Sequence, residues 1–218
     1  MTRLRYDAAA ASQVLAAADP ALAEVIAAVG PPRIELRPGE TLPALLRSVT
    51  YQQLSTKAAA TIHGRVMDRL ARDTELSSDP DALARAIASA PDDDLRGCGL
   101  SRAKTASARD LAARQLGGSL PSRSALLEMS DAEAVLALTA VRGVGEWTAQ
   151  MMLIFNLGRP DVWPVADLGV QEGLRIVRGL GDRPTPKAMR GLGEPYAPWR
   201  SVAAWYCWRA VHRARGEE

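Results

Sequence analysis

Residues 139–151 read Thr-Ala-Val-Arg-Gly-Val-Gly-Glu-Trp-Thr-Ala-Gln-Met, and this stretch decides the reading of the chain. Upstream, Asp131 to Leu138 has the apolar spacing of an amphipathic helix, and a second helix is expected to start directly after Gly145. Gly143 and Gly145 permit a turn that bulkier residues resist. They also leave the backbone N–H groups around Val144 uncovered. The following helix brings the positive end of its dipole to the same place. The product is a candidate phosphate clamp built from backbone, which reads no base.

The rest of the chain is expected to be all-α. Alanine, leucine and arginine dominate, and apolar residues recur at helical spacing. The pattern predicts helices near 7–17, 20–28, 42–52, 56–72, 80–89, 92–96, 101–116, 122–128, 131–139, 146–157, 167–178, 186–191 and 198–214. Asp79 before Pro80, Ser101 before Arg102 and Ser130 before Asp131 are start signals. Gly117-Gly118 and Gly179-Leu180-Gly181 are stops. The one extended candidate is Arg33-Ile34-Glu35-Leu36-Arg37, which alternates like a short strand.

A chain of 218 residues can bury a full core in one or two joined domains. No apolar run is long enough to span a bilayer, and no apolar stretch follows Arg3 and Arg5, so neither a membrane nor secretion is expected. Cys98 and Cys207 lie far apart without metal-ligand spacing; they read as free thiols in a reducing, cytoplasmic setting. The net charge of +2 is too small for global steering, so any polyanion must meet a local basic patch. Candidates are Arg102, Lys104, Arg109 and Arg114 on one helix, and Arg200, Arg209, Arg213 and Arg215 near the C-terminus.

One further helix separates the hairpin from Pro164-Val165-Ala166-Asp167-Leu168-Gly169-Val170. Hairpin, helix, short loop, then an aspartate opening a new helix is the order of the helix-hairpin-helix DNA glycosylase superfamily, which this sequence resembles. More narrowly it resembles the alkylated-base branch, the 3-methyladenine DNA glycosylase II type. The resemblance runs from about Arg37 to Arg209. Besides the hairpin and the Asp167 block it rests on Tyr51-Gln52-Gln53-Leu54-Ser55 and on Leu95 to Lys104, where Gly97-Cys98-Gly99 turns into a basic helix.

The resemblance implies two helical lobes with an active-site cleft between them: 41–159 with the hairpin, and 1–40 plus 160–218 with Asp167. It implies that Asp167 is the catalytic carboxylate, although an aspartate there is also a favoured helix cap. It implies that Trp147 and Trp199 stack on a flipped base, with Met151 standing where the branch has a tyrosine. Gly143, Val144 and Gly145 would hold phosphate, Leu54 would wedge into the duplex with Gln53 beside the orphaned base, and Arg102 and Lys104 would lie on the strand backbone. Met151, Trp163 and Tyr196 are expected to line the pocket, and Trp163, Trp205 and Trp208 to serve packing.

Members that also cut the strand carry a lysine where this chain has Trp147, so the expected activity is monofunctional, with water as nucleophile. No cofactor is expected. Two cysteines cannot build the four-cysteine iron–sulfur cluster of some members, while a monovalent cation on the hairpin carbonyls belongs to what the resemblance implies. The expected partner is double-stranded DNA with a damaged base, met by a monomer. Two other readings stay open: a non-enzymatic DNA-binding scaffold, which needs neither Asp167 nor exposed tryptophans, and a glycosylase for another damaged base.

Overall fold

The computed structural model describes residues 4, 6–37, 39–72, 79 and 81–217. Among these residues all regular structure is helical. The chain divides into two compact units, Met1–Arg37 with Leu153–Glu218 and Pro38–Met152.

The continuous unit, Pro38–Met152, carries α3 (Thr41–Tyr51), α4 (Thr56–Ala71), α5 (Ala82–Ser89), α6 (Asp92–Gly97), α7 (Arg102–Leu116), α8 (Arg123–Glu128), α9 (Asp131–Thr139) and α10 (Glu146–Met152). Helix starts follow local chemistry. Ser55, Ser101 and Ser122 each accept a backbone N–H three residues on. Ser130 and Glu133 satisfy one another's backbone donors in a capping box at the head of α9. Pro80 and residues 73–78 lie outside the described residues, and the helix expected from there begins at Ala82. Helix α7 is the axis of this unit: Thr105, Ser107, Ala108, Leu111 and Ala112 are buried, against α3 and α5.

The discontinuous unit carries α1 (Ala8–Ala18), α2 (Pro20–Val29), a π-helical turn (Leu153–Leu157), α11 (Leu168–Val177), α12 (Pro186–Leu192), a 3-10 turn (Glu194–Tyr196) and α13 (Arg200–Ala214). Its core includes Leu15, Leu22, Leu174, Tyr196, Val202, Tyr206 and Cys207, all at most 1 % exposed. Asp19 caps α2 through Ala21 and Leu22 and accepts from the Tyr196 hydroxyl at 2.6 Å and from Arg178. Burial pushes Asp19 up, but these donors outweigh it and hold the carboxyl below its ordinary range.

Two sequence expectations change here. Residues 33–37 form no strand: they have no regular structure, with Ile34 buried and Arg37 N–H donating to the Phe155 carbonyl at 2.7 Å. The Asn156 amide donates to the Arg37 carbonyl at 2.8 Å, so the segment's polar groups find a helix end and not a ladder. The helix expected over 146–157 is α-helical only to Met152 and π-helical afterwards, and the division between units falls at that change. Phe155 lies in the π-helical part, its ring stacked on Trp208 at 5.6 Å between centroids.

Helices α11 and α13 approach closely at a glycine. A Cβ on Gly173 would sit 2.1 Å from the carbonyl oxygen of Cys207. Main chain cannot rotate aside as a side chain does. Gly64, inside α4, has nothing within 4 Å of its own Cβ position. Gly173→Ala is therefore expected to destabilise by about 1–3 kcal/mol as overpacking, whereas Gly64→Ala stabilises by up to about 1 kcal/mol through helix propensity. Thermal denaturation of the two variants should move in opposite directions.

Candidate active site

The hairpin between α9 and α10 uses its glycines differently. Gly143 has φ +78°, and a Cβ there would meet the Ser107 Oγ at 2.4 Å. Gly145 adopts an ordinary φ and faces open space. The backbone at 145 is therefore open to approach from outside. Among the described residues the N–H groups of Gly143 and Gly145 have no acceptor. Val144 is buried and anchors the turn. The N–H of Arg142 donates to Asp110 Oδ2 at 2.8 Å, and the Arg114 side chain donates to the same oxygen at 2.8 Å. Burial raises Asp110, but the Arg142 N–H and the Arg114 guanidinium prevail and hold its carboxyl below the usual range.

The segment joining α3 to α4 is tied to this hairpin. The Gln52 side-chain amide donates to the Gly143 carbonyl at 3.0 Å and to Thr148 Oγ1 at 3.3 Å. The next residue, Gln53, is the one described non-glycine residue with positive φ, at +57°. Leu54 follows, 40 % exposed. The Lys104 ammonium donates to the carbonyls of Thr50 and Gln52, each at 2.8 Å. Lys104, expected on a phosphate, is thus engaged inside the unit. Arg109 is likewise directed at the Ile87 and Ala90 carbonyls and at Asp92. Arg102 stays exposed on α7.

Trp147 is 43 % exposed on the first turn of α10, too open for a core tryptophan. Met151, one turn on, is half-buried. The hairpin carbonyls of Val141 and Gly145 accept backbone N–H groups, and that of Gly143 accepts the Gln52 amide.

In the other unit, Asp167 is both N-cap and buried carboxylate, 8 % exposed. Its Oδ1 accepts the Val170 N–H at 2.8 Å and the Trp208 indole N–H at 2.9 Å. The loop before it is fixed by Asp167 N–H to the Pro164 carbonyl, and by the Gln171 amide to the Val165 carbonyl at 2.7 Å. Gly169 makes the indole contact feasible, because a Cβ there would meet the Trp208 ring at 2.8 Å. Two donors on one oxygen fix the plane of the carboxyl group.

Several residues have neighbours that the sequence does not announce. Trp208, read as packing, is the tryptophan that touches Asp167. Trp199 keeps part of its surface exposed at the head of α13, its ring 5.6 Å from that of Tyr6. Trp163 and Tyr196 are 7 % and 0 % exposed, packed edge to face in the core. The Trp163 indole N–H is bound by the Met189 carbonyl. The Arg200 side chain donates two hydrogen bonds to Asp161 and its backbone N–H a third. Sequence reasoning missed Trp208, Gly169, Asp110 and Gln52; for Trp208 the available signal was the Gly-x-x-x-Gly of 169–173, which lets a neighbouring helix come close.

A family model described as the HhH-GPD superfamily base excision DNA repair protein matches residues 46–198, which span both the hairpin and Asp167. The chain belongs to this superfamily. Among HhH-GPD relatives, DNA-3-methyladenine glycosylase 1 of Schizosaccharomyces pombe is 32 % identical over 82 % of this chain and 75 % of its own. Two solved structures are similar. The Schizosaccharomyces pombe 3-methyladenine DNA glycosylase in complex with abasic DNA superposes with a TM-score of 0.77 at 30 % identity, covering 91 % of this chain and 95 % of that one. The DNA-3-methyladenine glycosidase of Bacillus halodurans superposes with a TM-score of 0.82 at 29 % identity, covering 100 % and 95 %.

Within this HhH-GPD site the Trp208–Asp167 contact has a measurable consequence. Trp208→Phe keeps the ring and removes the N–H. A hydrogen bond to a charged group contributes about 1.5–3 kcal/mol, so single-turnover base excision should fall roughly 10- to 100-fold while affinity for DNA changes little. Single-turnover kinetics and a binding titration on the same duplex separate the two.

Proposed function

We propose that this HhH-GPD protein is a monofunctional DNA glycosylase that removes alkylated purines of the 3-methyladenine type from duplex DNA in base excision repair. The observation that carries the reading is the Asp167 carboxyl group, fixed through one oxygen by Trp208 and Val170 where a loop meets α11. A cap alone needs only the Val170 N–H; the second, side-chain donor is an expense of design that a fixed charge explains and a cap does not. The names of the relatives support the same chemistry, and the exposed indole of Trp147 supports an enzyme over a scaffold.

Cleaving an N-glycosidic bond builds positive charge on the deoxyribose. Alkylation at a ring nitrogen already makes the purine a cationic leaving group, so the reaction asks mainly for a negative charge at the sugar. At about 4 Å and an effective dielectric of about 20, one carboxylate supplies roughly 4 kcal/mol, which is about a thousandfold in rate. The same carboxylate orients the attacking water and takes its proton, and the purine leaves with the bonding pair. The products are a free base and an abasic site on an unbroken strand.

Each other element has a task in this scheme. Trp147 offers an electron-rich face to a cationic purine, an attraction of about 0.5–2 kcal/mol. Met151 adds a polarisable thioether. Leu54 enters the stack left by the extruded nucleotide, Gln53 meets the orphaned base, and the N–H groups of Gly143 and Gly145 take phosphate with Arg102 nearby. Trp147 is not an amine and forms no Schiff base. The protein works as a monomer without cofactor, in the cytoplasm on the nucleoid; no described helix is long and apolar enough to cross a membrane.

Asp167→Asn tests the reading. The Asn side-chain oxygen still accepts from Val170 and Trp208, so fold and DNA affinity should persist. Release of methylated purines from alkylated DNA should drop about a thousandfold, by the arithmetic above. A variant that releases bases at near wild-type speed removes Asp167 from catalysis. A borohydride-trapped adduct with the unmodified protein contradicts the water mechanism.

A further inference from the structure

The exposed turn between α3 and α4 holds a contradiction. Leu54 is 40 % exposed where an apolar side chain gains by folding back. Gln53 sits at φ +57°, a region that residues with a Cβ avoid. Such a conformation persists only where its surroundings over-determine it. Here they do, from both sides. Before the turn, the Lys104 ammonium grips the carbonyls of Thr50 and Gln52, each at 2.8 Å. The Gln52 side chain is held at the same time by Gly143 and Thr148. After the turn, Ser55 is fixed as the cap of α4. Only Gln53 and Leu54 remain between the clamps, and both point to solvent.

We propose that Lys104 is a positioning residue for Leu54: by binding the last carbonyls of α3 it holds the Gln53 turn in its left-handed form and keeps the leucine projecting. This rests on reading Leu54 as the wedge that enters DNA. The terminal carbonyls of a helix have no partners within the helix and carry its negative end, so a compact cation with three radiating donors suits two of them at once. Desolvation lowers the Lys104 pKa, in keeping with an ammonium that has exchanged water for carbonyls. Lys104 is itself held at the start of α7, where its backbone N–H binds the Ser101 cap. A wedge fixed in advance loses little freedom when it inserts, and that saving appears as affinity.

The test is a double-mutant cycle of Lys104→Met and Leu54→Ala. The probe is a duplex carrying a tetrahydrofuran abasic analogue with 2-aminopurine opposite it. Its fluorescence rises when the opposite base is unstacked, so it reports insertion without needing excision. Lys104→Met, which keeps the stem and removes the donors, should weaken binding about tenfold, the effect of losing a charge-assisted hydrogen bond, and reduce the fluorescence rise. Leu54→Ala should do the same, and the double variant should be no worse than Leu54→Ala alone.

If the two losses multiply, Lys104 acts on DNA independently of Leu54; the proposal is overturned and the wedge reading stands. The same holds if Lys104→Met has no effect. If Leu54→Ala has no effect, the wedge reading falls and takes the proposal with it. A thermal melt accompanies each variant. Should the Met variant fail to fold, Lys104→Gln, which retains one donor pair, replaces it in the same cycle with the same outcomes.

Discussion

A carboxylate drawn largely out of water must be given donors, and in this protein both identified donors converge on one oxygen of Asp167. That requirement shapes the unit around it. The Trp208 indole reaches Asp167 only because Gly169 leaves room for its ring, and α13 lies against α11 only because Gly173 leaves room for the Cys207 carbonyl. Phe155 stacks on Trp208 and Arg37 lies over Phe155 at 5.5 Å, so the indole is supported behind as well as bonded in front. Cys207, at the helix crossing, is fully buried, and burial pushes its thiol far above the ordinary range. It fills space and stays chemically silent.

The continuous unit solves a different problem, keeping unusual backbone exposed and still. Helix α7 is its frame. From its first turn Lys104 holds the end of α3, from its middle Ser107 lies against Gly143, and Asp110 binds the N–H of Arg142. Most of the charge on this helix thus faces inward to loop carbonyls and N–H groups. The exposed pieces, Leu54, Trp147 and Gly145, sit on loops or first turns that α7 and its partners hold from behind.

Much of this was legible in the sequence, and the failures have physical reasons. Capping serines and a glycine stop placed most helices within a residue or two, because those signals act within one turn of chain. The capping position of Asp167 was legible because loop before and helix after are local; its reading as a catalytic carboxylate came from the resemblance. Trp208 was not legible: forty-one residues separate it from Asp167, and a tryptophan on a long helix reads as core until its neighbours are known. Lys104 was placed on the DNA backbone by resemblance; its carbonyl partners were hidden in the same way, since they lie more than fifty residues upstream. The left-handed Gln53 had no signal, because glutamine does not announce positive φ as glycine does. The π-helical turn was hidden because Leu-Ile-Phe-Asn-Leu has the composition of any buried helix.

The unit that holds Asp167 is made of two separate lengths of chain, whereas the unit with the hairpin is one uninterrupted length set inside it. Synthesis runs from the N-terminus, and compact units fold as they emerge. The hairpin unit is therefore complete in the nascent chain while α1 and α2 still wait for a partner. The indole that binds the carboxylate lies on α13, downstream of the whole hairpin unit. The hairpin unit can thus close on itself in the nascent chain before Trp208 has been made.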